Sequence, residues 1–183
     1  DVIIGEGVEC IGDRAFQGCI GLAEIVLPDS LTSLGTRAFY KCENLRRVSI
    51  GSGLAKIPDY AFYKCIKLED LTVSDGVTEI GRYAFRGCES LAELYLSREL
   101  TAIGDYAFYG CPSLKEINLP DKLSSIGAFA FRGCRRVKSL VIPAGVETIG
   151  KHAFYGMEKV TIYCESESIP AYWNEKWNSS YRA

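Results

Sequence analysis

Eight cysteines and a single histidine are the residues of this 183-residue chain best suited to metal, redox or nucleophilic chemistry. So many cysteines would ordinarily point to a disulfide scaffold or a zinc site. Their spacing argues for something else. Cys19, Cys42, Cys65, Cys88, Cys111 and Cys134 follow one another every 23 residues, and Met157 stands in the seventh place. Methionine can neither bridge nor replace a zinc thiolate, but it fills an apolar gap. The column therefore reads as buried, reduced packing thiols. Stacked disulfides are the alternative, since neighbouring coils of a solenoid lie within disulfide range, and a metal site is the third reading. Cys10 and Cys164 fall outside the column and are the candidates for exposure. His152 occupies a slot filled elsewhere by Tyr60, Tyr83, Tyr106 and Phe129, so it reads as a member of an aromatic column and not as a ligand or base.

Two other sets of residues could do chemistry. Glu93 and Glu116 formally offer the carboxylate pair of a glycoside hydrolase, but an open sheet surface lacks the enclosed pocket that raises an acid's pKa. The glycines stand singly at turns rather than as a phosphate-cradling G-x-G-x-x-G loop. No catalytic residues and no cofactor are expected. The other set is aromatic: Tyr60, Tyr83 and Tyr106 precede an Ala-Phe pair, and Tyr40, Tyr63, Tyr109 and Tyr155 follow it.

The element that must position all of these is a repeat. Phe16, Phe39, Phe62, Phe85, Phe108, Phe131 and Phe154 are each 23 residues apart. A fixed period of that size specifies a solenoid in which each coil leans on the next. In one coil, Leu22, Ile25 and Leu27 mark a strand stopped by Pro28. Leu31 and Leu34 follow, Gly35 suits a tight corner, and Ala38, Phe39 and Cys42 are spaced like a turn of helix or 3₁₀. Asp13, Asp59 and Asp105 are placed to cap that turn. Ile25, Val48, Leu71, Leu94, Ile117 and Leu140 form one inward column; Leu27, Ile50, Val73, Leu96, Leu119 and Ile142 form another. The last coil reads as three residues short, pairing Ile162 with Ile142. Pro170 suits a first helical turn, with Trp173 and Trp177 on one face, so residues 164–183 are expected to form a helical hydrophobic cap on a solenoid spanning 1–163. Asp1 falls mid-repeat, and the chain is expected to be a fragment of a longer protein.

The pattern L-x-x-I-x-L-P…L-x-x-I-G-x-x-A-F-x-x-C resembles the BspA-like (treponemal-type) bacterial leucine-rich repeats over about nine-tenths of the chain. That resemblance implies a right-handed horseshoe with a parallel sheet on its concave face, A-F-x-x-C on its convex side, and a secreted or cell-surface protein that works by adhesion or protein binding. Strand alternation then puts Glu24, Arg47, Asp70, Glu93, Glu116, Ser139 and Lys159 in one concave row, and Val26, Ser49, Thr72, Tyr95, Asn118, Val141 and Thr161 in the next. Eight strands would make a face roughly 34 Å wide. Like charges directly across strands repel, so Asp70, Glu93 and Glu116 need an explanation. A solvated face with Lys115 or Lys138 reaching over is the plain one. A basic-ligand site with Tyr95 as anchor and Asn118 as polar partner is the sharper one, and a calcium site is the third.

The leading functional reading is a protein-binding module whose site is Arg47, Asp70, Thr72, Glu93, Tyr95, Glu116 and Asn118, with a host or matrix protein as partner. The alternatives are a glycan-binding module using Tyr60, Tyr83, Tyr106, Tyr63 and Tyr109, and a spacer. A formal charge of −2 gives no case for a nucleic-acid partner, and no apolar run approaches the ~18–20 residues of a membrane span. A monomer is expected.

Overall fold

The structure, a computed structural model, describes residues 2–178. It is a parallel β-solenoid of seven coils. The strands Glu24–Leu27, Arg47–Ile50, Asp70–Val73 and Glu93–Tyr95 form one sheet, and Ser139–Ile142 and Thr161–Cys164 a second. Within the first sheet Ile25, Val48, Leu71 and Leu94 stand opposite one another, so the inward column follows the sequence period. Their side chains are 7% exposed or less, which removes from water the apolar surface that holds coil to coil.

The eight-strand face is not formed. Residues 2–4 and the whole of 112–120 lie outside strands. The inward Ile117 still reaches the core, at 4% exposure. The last coil is one residue short, not three: Leu140 pairs with Ile162 and Val141 with Tyr163. Thr161 therefore stands beside Ser139 in the first row and Tyr163 joins the second, displacing Lys159 and Thr161 from the places expected for them.

A second parallel ladder runs beside the first. Two-residue strands Lys56–Ile57, Glu79–Ile80, Ala102–Ile103, Ser125–Ile126 and Thr148–Ile149 make a five-stranded sheet, and Cys10–Ile11 pairs with Ser33–Leu34. The corner glycine that follows is needed for space. A Cβ at Gly127 would come within 2.5 Å of the Gly104 carbonyl carbon, because successive coils touch there through bare backbone.

The convex side contains no helix among the described residues; it is a chain of tight turns. The amide of Cys65 bonds the Phe62 carbonyl and that of Tyr63 the Tyr60 carbonyl, while the intervening amides of Phe62 and Lys64 turn outward to the next coil, on Ala84 and Arg86 at 2.8 Å each. A helix would point every amide back along its own axis. Here alternate amides point along the solenoid instead. Two left-handed residues per coil make this possible: one at Arg37, Tyr60, Tyr83, Tyr106, Phe129 and His152, the other at Lys41, Lys64, Gly87, Gly110, Gly133 and Gly156. Asp59 and Asp105 accordingly cap the following coil and not their own: their Oδ1 atoms accept the amides of Arg82 (2.7 Å) and Ala128 (2.8 Å), and Asp13 does the same for Thr36.

The thiol column is buried from Cys42 to Cys134, half-buried at Cys19, and carries no disulfide. Each thiol donates to the phenylalanine carbonyl of the previous coil, from Cys42 on Phe16 at 3.0 Å to Cys134 on Phe108 at 3.5 Å. Burial pushes the Cys42 thiol up to about 11 and Cys134 to about 12, so both stay protonated donors. Cys10 and Cys164 are exposed.

The tail covers the seventh coil without becoming a helix. Trp173 bridges to Ile149 in parallel and donates its indole N–H to the Val146 carbonyl at 3.0 Å. The amides of His152 and Phe154 donate to the carbonyls of Lys176 and Trp177, as each earlier coil does to the next. Trp177 meets Phe154 edge-on at 6.0 Å. Residues 179–183 of the expected cap lie outside the described residues.

Candidate functional site

The two outer faces differ in how neighbouring side chains meet. On the convex side the inward phenylalanines stack at 5.1–5.8 Å with their planes within 8° of parallel. Outside them Tyr60, Tyr83, Tyr106 and Phe129 stack at 4.7–4.8 Å, and His152 continues the column at 5.2 Å. Burial, then the nearby Lys151, Arg132 and Lys176, holds the His152 imidazole below its ordinary value, and its ring is tilted against Phe129 and edge-on to Tyr155.

The other aromatic column contains cations that its tyrosines alone did not reveal. In order it reads Tyr40, Tyr63, Arg86, Tyr109, Arg132, Tyr155. Arg86 sits between Tyr63 (5.7 Å) and Tyr109 (4.8 Å), and Arg132 between Tyr109 (5.4 Å) and Tyr155 (4.7 Å). A guanidinium over a ring is attracted by the ring's quadrupole. The faces of Tyr83, Tyr106, Tyr63 and Tyr109 are thus occupied by neighbours, leaving mainly ring edges and hydroxyls for any ligand. The period placed these residues; the 23-residue offset from Tyr63 to Arg86 was the available signal for the cations.

On the concave side Arg47 pairs with Glu24 at 3.2 Å and with Asp70 at 3.8 Å. Both pairs are exposed and therefore worth little individually. Thr72 lies exposed beside them, opposite Tyr95 in register. Then the ladder fails. Glu93 ends the first row of the four-stranded sheet, and Glu116 stands in the segment that should pair with it. Among the described residues neither carboxylate has an ion-pair partner. Across the gap the backbone makes one long bond, Lys115 amide to Ala92 carbonyl at 3.4 Å, and the amides of 116–119 bond nothing among the described residues. The result is a notch of about 180 Å³ lined by Glu93, Leu94, Tyr95, Lys115, Glu116 and Asn118. Lys115 borders this notch without pairing with either acid, so neither it nor Lys138 reaches over.

Tyr95 is 60% exposed and donates to Glu93 Oε2 at 3.4 Å. The Glu93 charge and this bond, with Asp70 and Glu116 behind them, raise its phenol above the ordinary value. The notch is a place of negative potential with an exposed ring at its lip. Val141 (46%) and Tyr163 (58%) carry the exposed row onward beyond the gap. Among the described residues no three His, Cys, Asp or Glu side chains converge as a metal site, and no helix is long and apolar enough to cross a membrane.

Comparison with known proteins gives the class. The BspA-type leucine-rich repeat region matches in six copies, over residues 1–111 and 55–176. The chain belongs to that family. Leucine-rich repeat proteins commonly mediate protein binding and are generally non-catalytic. A leucine-rich repeat protein of T. pallidum is similar over 86% of this chain and 74% of its own, at 30% identity and a TM-score of 0.76. One from Bacteroides ovatus matches 95% of this chain at 26% identity, with a TM-score of 0.72. A leucine-rich cell surface protein from Faecalibacterium prausnitzii matches 96% at 27% identity, with a TM-score of 0.57. This chain spans 48% of each of the last two. A sequence comparison with curated proteins finds no match.

Proposed function

We propose that this chain is a protein-binding and adhesion module of a bacterial cell-surface or secreted protein, and that a basic segment of its protein partner docks at the concave notch. The observation that carries this reading is the pair Glu93 and Glu116: two exposed carboxylates, one on each side of an opened ladder, neither with an ion-pair partner among the described residues. A lysine or arginine placed there would meet both acids, pack its alkyl stem on Tyr95, and find Asn118 as a further polar partner. Arg47, Asp70 and Thr72 extend the surface on one side; Val141 and Tyr163 extend it on the other. The surface location draws support from the cell-surface F. prausnitzii protein. The host or matrix identity of the partner follows from adhesion as the role.

The test is immobilised-protein binding to a panel of matrix proteins, with wild type beside Glu93→Lys/Tyr95→Ala/Glu116→Lys. The reading expects a salt-sensitive hit that the variant loses while its melting curve stays cooperative. A hit retained by the variant would place binding elsewhere, and no hit at all would leave the module as a spacer.

A further inference from the structure

The convex wall holds a groove that the stacked columns do not explain. Its floor is the left-handed column described above, where Gly110, Gly133 and Gly156 replace the Lys41 and Lys64 of earlier coils. Without side chains at that column a cavity of about 510 Å³ opens along the last four coils. One wall is Tyr109, Arg132 and Tyr155; the other is Glu89, Pro112, Arg135 and Glu158.

The cations of this groove meet no carboxylate among the described residues, and Arg132 meets rings instead. Arg132 is half-buried and held between two tyrosines, 5.4 Å from the Tyr109 ring and 4.7 Å from Tyr155. None of its side-chain N–H groups donates to an acceptor among the described residues, and neither Arg132 nor Arg135 has an ion pair there. Four other arginines, Arg46, Arg47, Arg82 and Arg98, each meet a carboxylate, whereas Arg14, Arg37, Arg86 and Arg136 share with Arg132 and Arg135 the lack of one among the described residues. A planar guanidinium offers five N–H donors in a fork that matches a carboxylate. Held by two rings, Arg132 gives up less side-chain freedom on binding than a free arginine would.

The acids of the same groove narrow the ligand. Glu89 and Glu158 accept hydrogen bonds and repel anions, so a polyanionic peptide would meet both attraction and repulsion. A ligand with an isolated carboxylate among many hydroxyl donors satisfies both walls: the carboxylate on Arg132 and Arg135, the hydroxyls on Glu89 and Glu158. The tyrosine edges suit the same polar, ringed molecule. We propose that this convex groove binds an acidic saccharide, with a carboxylated sugar residue held by Arg132 and Arg135. This site is separate from the concave notch and stands or falls without it.

The experiment is titration calorimetry of the whole chain with 3′-sialyllactose, trigalacturonic acid and a hyaluronan hexasaccharide, against neutral lactose and a hexaglutamate peptide. The variants are Arg135→Gln, which removes the charge of an exposed side chain, and Gly133→Asn, which fills the floor with a residue that tolerates left-handed backbone. Binding of at least one carboxylated saccharide, weakened tenfold or more by each variant and absent with lactose, is the expected result. No binding by any of the three would overturn the site. Equal or tighter binding of hexaglutamate would overturn the saccharide, and saccharide binding indifferent to both variants would overturn the location. Glu93→Lys/Tyr95→Ala/Glu116→Lys should leave this affinity unchanged.

Discussion

The convex wall and the concave sheet are built by the same 23 residues in the same order, yet one is continuous and the other is broken. On the convex side alternate amides reach the next coil at about 2.8 Å, from Phe39 on Ala61 to Phe131 on Ala153. Rings stack on rings, and cations sit between them. On the concave side the strands pair cleanly through Asp70–Val73 and Glu93–Tyr95, then part at 112–120, then pair again at Ser139–Ile142. Ile117 and Leu114 are as buried as their counterparts, but on either side of the gap Leu96 and Leu119 are only half-buried, where Leu27, Ile50, Val73 and Ile142 are buried. The outward row changes as well. Glu24 and Asp70 have Arg47 between them, whereas Asp70, Glu93 and Glu116 follow one another with no cation in their row. Asp70 and Glu93 still pair in register, and the ladder opens one coil later, between Glu93 and Glu116, where neither carboxylate has an ion pair among the described residues.

That comparison can be broken in several ways. The largest effect should come from alkali. The folded state raises the buried thiols, so their stabilisation is fully present below the ordinary thiol value of 9.0 and is lost as pH rises through the folded values, about 11 for Cys42 and about 12 for Cys134. Each thiol costs up to about 1.4 kcal/mol per pH unit over that window. The urea midpoint should fall steeply above pH 9, and more gently in a variant with Cys88→Ala and Cys111→Ala. An unchanged slope would mean that burial of the thiols does not carry the alkaline loss.

Next comes the backbone contact. Gly127→Ala should destabilise by roughly 1–3 kcal/mol, since its Cβ would meet the Gly104 and Asp105 backbone first and the Asp105 carboxylate just beyond. Thermal unfolding measures this directly. A smaller effect of opposite sign is expected at the notch: Glu93→Gln/Glu116→Gln should raise stability by about 0.2–1 kcal/mol by removing cross-strand repulsion. Chemical denaturation would detect it, and a loss of stability would show that the acids hold the segment rather than part it. Smallest is a titration. In Glu93→Gln the Tyr95 phenol, now raised chiefly by Glu93, should move down toward its ordinary 10.0, seen by ultraviolet difference absorbance.

Much of this was legible because a solenoid repeats its evidence seven times. The inward columns, the thiol column, the aromatic columns and the place of Arg47 follow from subtraction alone. Three features were not. The spacing of Ala38, Phe39 and Cys42 fits a helical turn and a pair of tight turns equally, and only the glycine column at Gly87, Gly110, Gly133 and Gly156 hints at left-handed residues. The register of the last strand was ambiguous because Leu140 and Ile142 are both inward aliphatic residues, so either could face Ile162. The row of acids was visible in the sequence, but not that repulsion would open the ladder at Glu116 and leave the neighbouring pairs closed. At the site, Glu93, Tyr95, Glu116 and Asn118 are placed together by the period; Arg86 and Arg132 are legible only as members of the same 23-residue column as Tyr63, Tyr109 and Tyr155.

The central claim is that charge, not sequence period, opens the concave ladder at 116–119. Residue-resolved amide hydrogen exchange tests it most directly, comparing 116–119 with 129–133 in wild type and in Glu93→Gln/Glu116→Gln. The account predicts amides at 116–119 that exchange orders of magnitude faster than those of Phe129, Phe131 and Gly133, and that slow markedly when the two acids are neutralised. Equal protection of both segments in the wild type, or fast exchange at 116–119 that persists in the variant, would contradict it.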